Sequence, residues 1–270
     1  MDITIAGLSF TYPSGVEALH AVDLRIPAGD AVAILGENGA GKTTLVKHLN
    51  GLLRPSAGQV TVGDWDTRAH TVAQLARRVG YVFQNPDDQL FERTVLGETT
   101  FGPKNLGLAA EAARAAGLEA LERVGLERAA ERHPYDLHLS QRKLLALAAI
   151  LAMRTPVVVL DEPTTGQDAA GIARISAIVD ALKAEGRTVI TISHDVDFVA
   201  EHFTRVIIMA HGQVQADGPA AETLSRADVL RFAQVEPPQL VRLAAALGLP
   251  GAPLTAETFV RNYGLRMSNE

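Results

Sequence analysis

Apolar positions along this chain follow two different periods. Near the start they alternate, in Ile3-Thr4-Ile5, Leu8-Ser9-Phe10 and Val22-Asp23-Leu24-Arg25-Ile26, which predicts half-buried strands. Pro13-Ser14-Gly15 and Pro27-Ala28-Gly29 supply turns between them. Ala31 to Leu35 is an unbroken apolar run, the pattern of a strand buried on both faces, and Val157 to Leu160 and Val189 to Ile192 repeat it. Helical spacing follows the first of these runs: Leu45, Val46, Leu49 and Leu52-Leu53 share one side of a helix ending near Gly51. From Ala109 to Ala130 the chain is rich in alanine, glutamate and leucine at helical spacing, which predicts a helical insertion. Arg205 to Val214 reads as a hairpin through His211-Gly212. The last forty residues or so, with Pro237-Pro238, a helical Leu240 to Leu247 and Pro250-Gly251-Ala252-Pro253, read as a small appended tail. Strands mixed with helices in this order predict an α/β fold.

Composition narrows what such a fold can do. A chain of 270 residues buries enough surface to need no staple, and 47% hydrophobic with 21% charged residues excludes a disordered chain. Twenty-five basic against 31 acidic residues give a net charge of −6, so no general nucleic-acid partner is expected. Cysteine is absent, which excludes disulfides, iron–sulfur clusters, thiolate zinc sites and a cysteine nucleophile. The most apolar stretch, Leu144 to Met153, is too short for a bilayer, which needs about 20 residues. Met1-Asp2-Ile3-Thr4-Ile5 lacks the basic and apolar regions of a signal peptide. The chain is expected to be soluble and to reach a membrane only through a partner.

The strongest chemical signal is Gly36-Glu37-Asn38-Gly39-Ala40-Gly41-Lys42-Thr43-Thr44, a phosphate-loop pattern between a buried strand and an amphipathic helix. Glycines let backbone N–H groups close around phosphates, and the helix start adds a favourable partial charge. Lys42 is placed to reach the β and γ phosphates and the Thr43 hydroxyl to ligate Mg²⁺. The alternative is a plain glycine-rich turn.

A phosphate loop needs a carboxylate for its metal, and Val157-Val158-Val159-Leu160-Asp161-Glu162 ends an apolar strand on two. Asp161 suits the Mg²⁺ shell, and Glu162 suits a general base for water. Taken alone, the pair also fits two solvated acids opening a turn before Pro163.

With these motifs in order, the chain resembles the ATP-binding subunit of an ABC transporter over nearly its full length. The resemblance implies a P-loop NTPase cassette: a mixed central sheet, an N-terminal antiparallel part and an inserted helical subdomain at about 86–150. It makes 1–230 the cassette and 231–270 the appendage. It also implies further roles. Tyr12 matches the aromatic residue that stacks on adenine. Gln84, after the strand Val79 to Phe83, matches the residue that touches Mg²⁺ and water and couples to the membrane partner. Thr164-Thr165-Gly166-Gln167-Asp168 matches the loop where paired subunits meet, and His194 the switch histidine on the γ-phosphate. ATP and Mg²⁺ are the implied ligands.

One motif departs from the family. The signature of leucine, serine, two glycines and glutamine falls on Leu137-His138-Leu139-Ser140-Gln141, replacing the serine and both glycines. In this family that signature completes the partner's nucleotide site. Either Ser140 takes over the phosphate contact, or two unlike sites form in an asymmetric pair. Ser140 is also a candidate cap for a helix starting near Gln141.

Tyr81-Val82-Phe83-Gln84-Asn85-Pro86-Asp87-Asp88-Gln89-Leu90-Phe91 looks like the extended glutamine loop of energy-coupling-factor importers, including the cobalt and nickel type, and Glu236 to Thr255 resembles their C-terminal appendage. Those systems take up vitamins or transition metal ions. The resemblance implies a second cassette (identical or different), a transmembrane scaffold with a substrate-binding membrane subunit, and a place on the cytoplasmic face of the membrane. A non-transport ABC ATPase, or a cassette that mainly holds ATP, are the other readings.

Overall fold

The computed structural model describes residues 1–249 and 251–267; Pro250 of the tail's turn and residues 268–270 lie outside the described residues. The two early alternating runs are one strand, β1 (Ile3–Thr11). Its register with β2 (Glu17–Ile26) shifts between Ile5 and Leu8, around Gly7 at φ 57°, a bulge that keeps both apolar runs on the buried face. After β3 (Ala31–Leu35) come helix α1 (Lys42–Lys47) and strands β4 (Ala57–Val62) and β5 (Trp65–Asp66). Helix α1 is shorter than expected. The chain leaves it by turns to Gly51, and Leu52 is exposed rather than part of the buried stripe.

A short helix α2 (Val72–Leu75), closed by a Thr71–Gln74 capping box, leads to β6 (Val79–Val82). Then three helices follow: α3 (Val95–Asn105), α4 (Ala110–Val124) and α5 (Leu139–Met153). The expected 109–130 helix thus stops at Val124, where Gly125 takes the left-handed C-cap conformation at φ 69°. Helix α4 buries Ala113, Ala116, Gly117, Ala120, Leu121 and Val124, a stripe at three- and four-residue spacing. From Leu144 onward helix α5 is apolar all round and fills the space between α3, α4 and the sheet. Truncating its fully buried Leu145 to alanine removes packing worth about 2–5 kcal/mol.

Strand β7 (Val157–Asp161), helix α6 (Ala169–Ala184), strand β8 (Thr188–Ile192), helix α7 (Val196–His202) and the hairpin β9 (Arg205–Ala210) and β10 (Gln213–Pro219) follow. Two short helices, α8 (Ala220–Thr223) and α9 (Ala227–Phe232), precede the tail helices α10 (Gln239–Ala246) and α11 (Ala256–Met267).

The strands form two sheets, β2-β1-β4-β5 and β10-β9-β3-β8-β7-β6. The first is antiparallel; the second is parallel from β9 to β6, with β10 antiparallel at its edge. One core lies between the sheets, through Ile3, Leu8, Ile34, Leu45 and Ile192, and another beneath the helices, through Leu121, Leu145, Leu160 and Val179. This is the mixed α/β architecture with an antiparallel N-terminal part and inserted helices that the resemblance implied. It brings the carboxyl ends of β3, β6, β7 and β8 to one edge, where parallel sheets place their ligands.

Candidate nucleotide site

At that edge β3 runs into residues 36–41, whose glycines carry the loop's shape. Gly36 sits at φ 152°, and a Cβ there would stand 2.1 Å from the Met209 carbonyl oxygen. Gly41, at φ 97°, caps α1, and its Cβ would meet the Ala18 carbonyl oxygen at 2.7 Å. Any larger residue would push the loop off β2 and the β9–β10 hairpin, whose Gly212 N–H donates to Ala40 O at 3.1 Å. No side chain caps α1, so its first N–H groups stay open to an anion. The Lys42 ammonium, itself buried, donates to Gly36 O at 2.7 Å and Glu37 O at 2.8 Å. Burial lowers its pKa, opposed by the charges of Glu162, Asp161 and Glu37.

Strand β7 delivers the two carboxylates. Asp161 is buried, and its Oδ2 accepts a 2.6 Å hydrogen bond from the Tyr81 hydroxyl while its Oδ1 has no partner among the described residues. Glu162 is also buried and holds a left-handed backbone at φ 51°, fixed by its N–H donating to Ile192 O at 2.9 Å. Its Oε2 accepts from the His194 N–H at 3.2 Å and the Thr165 hydroxyl at 3.3 Å. The half-exposed His194 ring brings Nε2 to 3.3 Å from Oε1, an ion-pair distance without hydrogen-bond geometry. Burial raises the Glu162 pKa, while His194, Thr165 and Lys42 pull it back. A carboxylate so placed is a stronger base than an exposed one.

Tyr12, Asn38, Gly39, Ala40, Gly41, Lys42, Thr43, Thr44, Gln84, Asp161, Glu162 and His194 thus line one cleft of about 340 Å³, together with Val16 to Ala18 and Ile192. Gly36 and Glu37 stand behind it, holding the Lys42 ammonium. Tyr12 stands at the rim with its hydroxyl 2.9 Å from Thr44 Oγ1 and its ring edge-on to Phe10. Gln84 is exposed there, on a loop tied to α5: Gln89 accepts from Phe83 N–H, donates to Ala146 O at 2.8 Å, and Asp87 pairs with Arg142 at 3.2 Å.

A Mg²⁺ ion bound with nucleotide uses one or two carboxylates and a hydroxyl, not an all-protein cage. The unpartnered Oδ1 of Asp161, in the cleft that Thr43 also lines, fits that donor set.

The candidate cap is corrected by the structure: His138 is the N-cap of α5, and Ser140 is the helix's second residue. The Gln141 side chain reaches back and accepts from the His138 N–H at 3.2 Å, leaving Ser140 no capping position. The Ser140 carbonyl accepts from Gln167 at 3.1 Å, joining the signature to the loop before α6.

Sequence reasoning missed Tyr81 as a holder of Asp161 and Lys143, whose ammonium donates to Thr165 O at 2.7 Å. Tyr81 pairs with Val159 in the sheet, so Asp161, two residues on, shares its face as a diagonal neighbour.

The family model described as ABC transporter matches residues 19–165, from β2 through the phosphate loop to just past Glu162. The chain belongs to the ABC transporter family. It is 40% identical to a Pyrococcus furiosus protein named as an ABC transporter ATP-binding protein, over 97% of this chain and 100% of that one. It is 39% identical to the energy-coupling factor transporter ATP-binding protein EcfA of Methanothermobacter thermautotrophicus, over 92% of this chain and 81% of that one. Against two longer Methanosarcina relatives it spans 40% and 42% of their length. Among solved structures, cbiO1 of Clostridium perfringens, described as part of the ABC transporter complex cbiONQ, aligns with TM-score 0.75 at 32% identity, over 92% of this chain and 98% of that one. This ABC-family chain is an ATPase subunit that binds ATP with Mg²⁺. Among its described residues no helix is long and apolar enough to cross a membrane.

Proposed function

We propose that this chain drives uptake of a vitamin or transition metal ion through a partner membrane protein, from the cytoplasmic face. The observation that carries the catalytic part of this reading is the convergence of Lys42, Asp161, Glu162 and His194 on one cleft. Bound Mg²⁺ would neutralise phosphate charge; Thr43, Gln84 and Asp161 are the residues that would hold it. Residues 36–44 cradle the phosphates, Tyr12 receives the adenine, and Lys42 reaches the β and γ phosphates. Glu162 takes the proton of the attacking water, and His194, tied to it, senses the γ-phosphate.

Residues 1–230 form the ATPase cassette, with its helical subdomain at about 86–150, and 231–270 the appendage. Coupling runs through the loop after β6. Exposed Phe91 and Phe101 meet edge to face at 4.7 Å beside it, an apolar pair suited to a membrane component. Two cassettes close on two nucleotides, and loss of the γ-phosphate removes the preference for closure. The exposed His138 and Leu139 at the start of α5 favour an asymmetric pair, in which this chain supplies a full phosphate loop to one site and a weakened signature to the other.

The test is to tag the chain in its own cell, extract membranes in mild detergent and identify what copurifies. A polytopic scaffold with a small substrate-binding membrane subunit is the expected outcome, and the binding subunit then names the cargo. Reproducible copurification of only soluble proteins or nucleic acid would overturn the transport reading while leaving the ATPase chemistry standing.

A further inference from the structure

A second polar cavity lies at the opposite edge of the large sheet. Arg154 leaves α5 just ahead of β7, and Arg187 stands one residue ahead of β8, so both sit at the amino ends of strands whose carboxyl ends hold the nucleotide site. With Glu119 and Arg123 of α4 and Glu185 after α6, they line a cavity of about 280 Å³, close to the lower end of ordinary small-molecule sites at about 300 Å³. Ala116, Ala120, Leu151 and Ala152 form its apolar wall.

Three guanidinium groups face two carboxylates there. Glu185 is shared, with Oε1 3.2 Å from Arg123 and Oε2 2.8 Å from Arg187, and Glu119 takes Arg154 at 2.6 Å. One positive charge is left over. Arg187 is only 14% exposed, and its buried Nη1 has no partner among the described residues. Burial chiefly, and the neighbouring charges of Arg123 and Arg154, hold its pKa below the ordinary arginine value, with Glu185 opposing. Guanidinium groups that outnumber the carboxylates around one cavity favour a further oxyanion there.

We propose that this cavity is a second anion site, distinct from the nucleotide cleft, which takes a diphosphate group through Arg123, Arg154 and Arg187. Its ligand bridges the inserted helices, through α4 and the end of α5, to the sheet, through the turn between α6 and β8. The Arg123–Glu185 pair already joins those two bodies, so occupancy ties the helical insertion's position to the anion.

The experiment titrates pyrophosphate into the full chain carrying Lys42→Ala, at constant ionic strength, by calorimetry. One saturable site is expected to persist. Arg154→Gln and Arg187→Gln are each expected to weaken it at least tenfold, while Arg242→Gln, in an exposed pair on the tail, leaves it unchanged. Arg154 is 62% exposed, so its substitution keeps the test valid where loss of Arg187 unfolds the chain. Absence of saturable binding in the Lys42→Ala chain, or binding indifferent to both arginines, overturns the proposal, because a purely structural ion-pair cluster takes no ligand. Displacement of pyrophosphate by ADP supports a nucleotide as the source of the diphosphate, and no displacement supports free pyrophosphate.

Discussion

The Tyr81 hydroxyl donates a 2.6 Å hydrogen bond to Oδ2 of Asp161, and both side chains are buried. The bond occupies one carboxylate oxygen, while Oδ1 has no partner among the described residues. Burial and the Asp161 charge raise the Tyr81 pKa far above the ordinary phenol value, so the hydroxyl keeps its proton and stays a donor. Tyr81→Phe removes the donor and strands a buried carboxylate oxygen, at a cost of about 1–3 kcal/mol. The variant is expected to melt lower and to need more Mg²⁺ for half-maximal ATP hydrolysis. A denaturant melt and a Mg²⁺ titration check this, and an unchanged Mg²⁺ requirement would show that the bond does not position Asp161.

Glu162→Gln keeps the shape of the side chain and removes its basicity. ATP affinity is expected to stay near that of the parent, since Lys42 and residues 36–41 are untouched. Turnover is expected to fall by about 10²–10⁴, the range of a lost general base. Phosphate release at saturating ATP measures it, and a parental rate would sink the assignment of Glu162 as base.

The parallel strands of the large sheet were legible in the sequence because burial on both faces leaves an apolar run with little ambiguity, as at Ala31–Leu35 and Thr188–Ile192, whereas the partly exposed β4 and β5 carry no such run and were not read. Lys42, Asp161, Glu162 and His194 were legible because each closes or follows such a strand. Helix α6 was overlooked, although Asp168 caps it, accepting from the Gly171 N–H at 2.7 Å, and Ile175, Ile178, Val179 and Leu182 mark its buried face. Its alanines and glycine dilute the stripe that would have announced it. The misplaced cap at Ser140 has a different cause. A helix start is set by which side chain reaches back, and Gln141 does so to His138, a contact that composition does not reveal. Tyr81's role needed the sheet register.

Glu98 gives a pH-dependent prediction away from the nucleotide cleft. It is buried in α3, and its Oε1 accepts the N–H groups of both Phe91 and Glu92, shaping the segment that presents Phe91. Burial raises its pKa above 4.5; the two N–H groups and His133 lower it, and Glu92 raises it further. A carboxyl with a raised folded-state pKa is protonated more readily when folded. Its contribution to stability is therefore fully present below the unfolded value and lost as pH rises through the folded one. Glu98→Gln keeps an acceptor for both N–H groups and cannot ionise. Relative to the parent, it is expected to gain stability as pH rises from 4.5 through the folded value. Denaturant melts across that range test this, and curves that stay parallel would count against it.

The start of α5 carries the sharpest prediction about pairing. His138 holds the cap position and Leu139, 49% exposed, the first helical position, so two bulky side chains stand where the family's signature brings serine and backbone close to a phosphate. Helix N–H groups attract an anion only over short distances, and side chains that hold the two surfaces apart weaken that attraction. The double substitution His138→Ser with Leu139→Gly removes both. The glycine costs about 1 kcal/mol of helix propensity at most. If bulk at this surface limits closure, the variant alone is expected to hydrolyse ATP at least about tenfold faster than the parent, equivalent to about 1.4 kcal/mol of barrier. It is also expected to dimerise more readily when Glu162→Gln is added to trap ATP. Size-exclusion chromatography with MgATP and steady-state phosphate release read the two effects. An unchanged rate with unchanged dimerisation would show that bulk at this surface does not limit closure and would remove the case for an asymmetric pair.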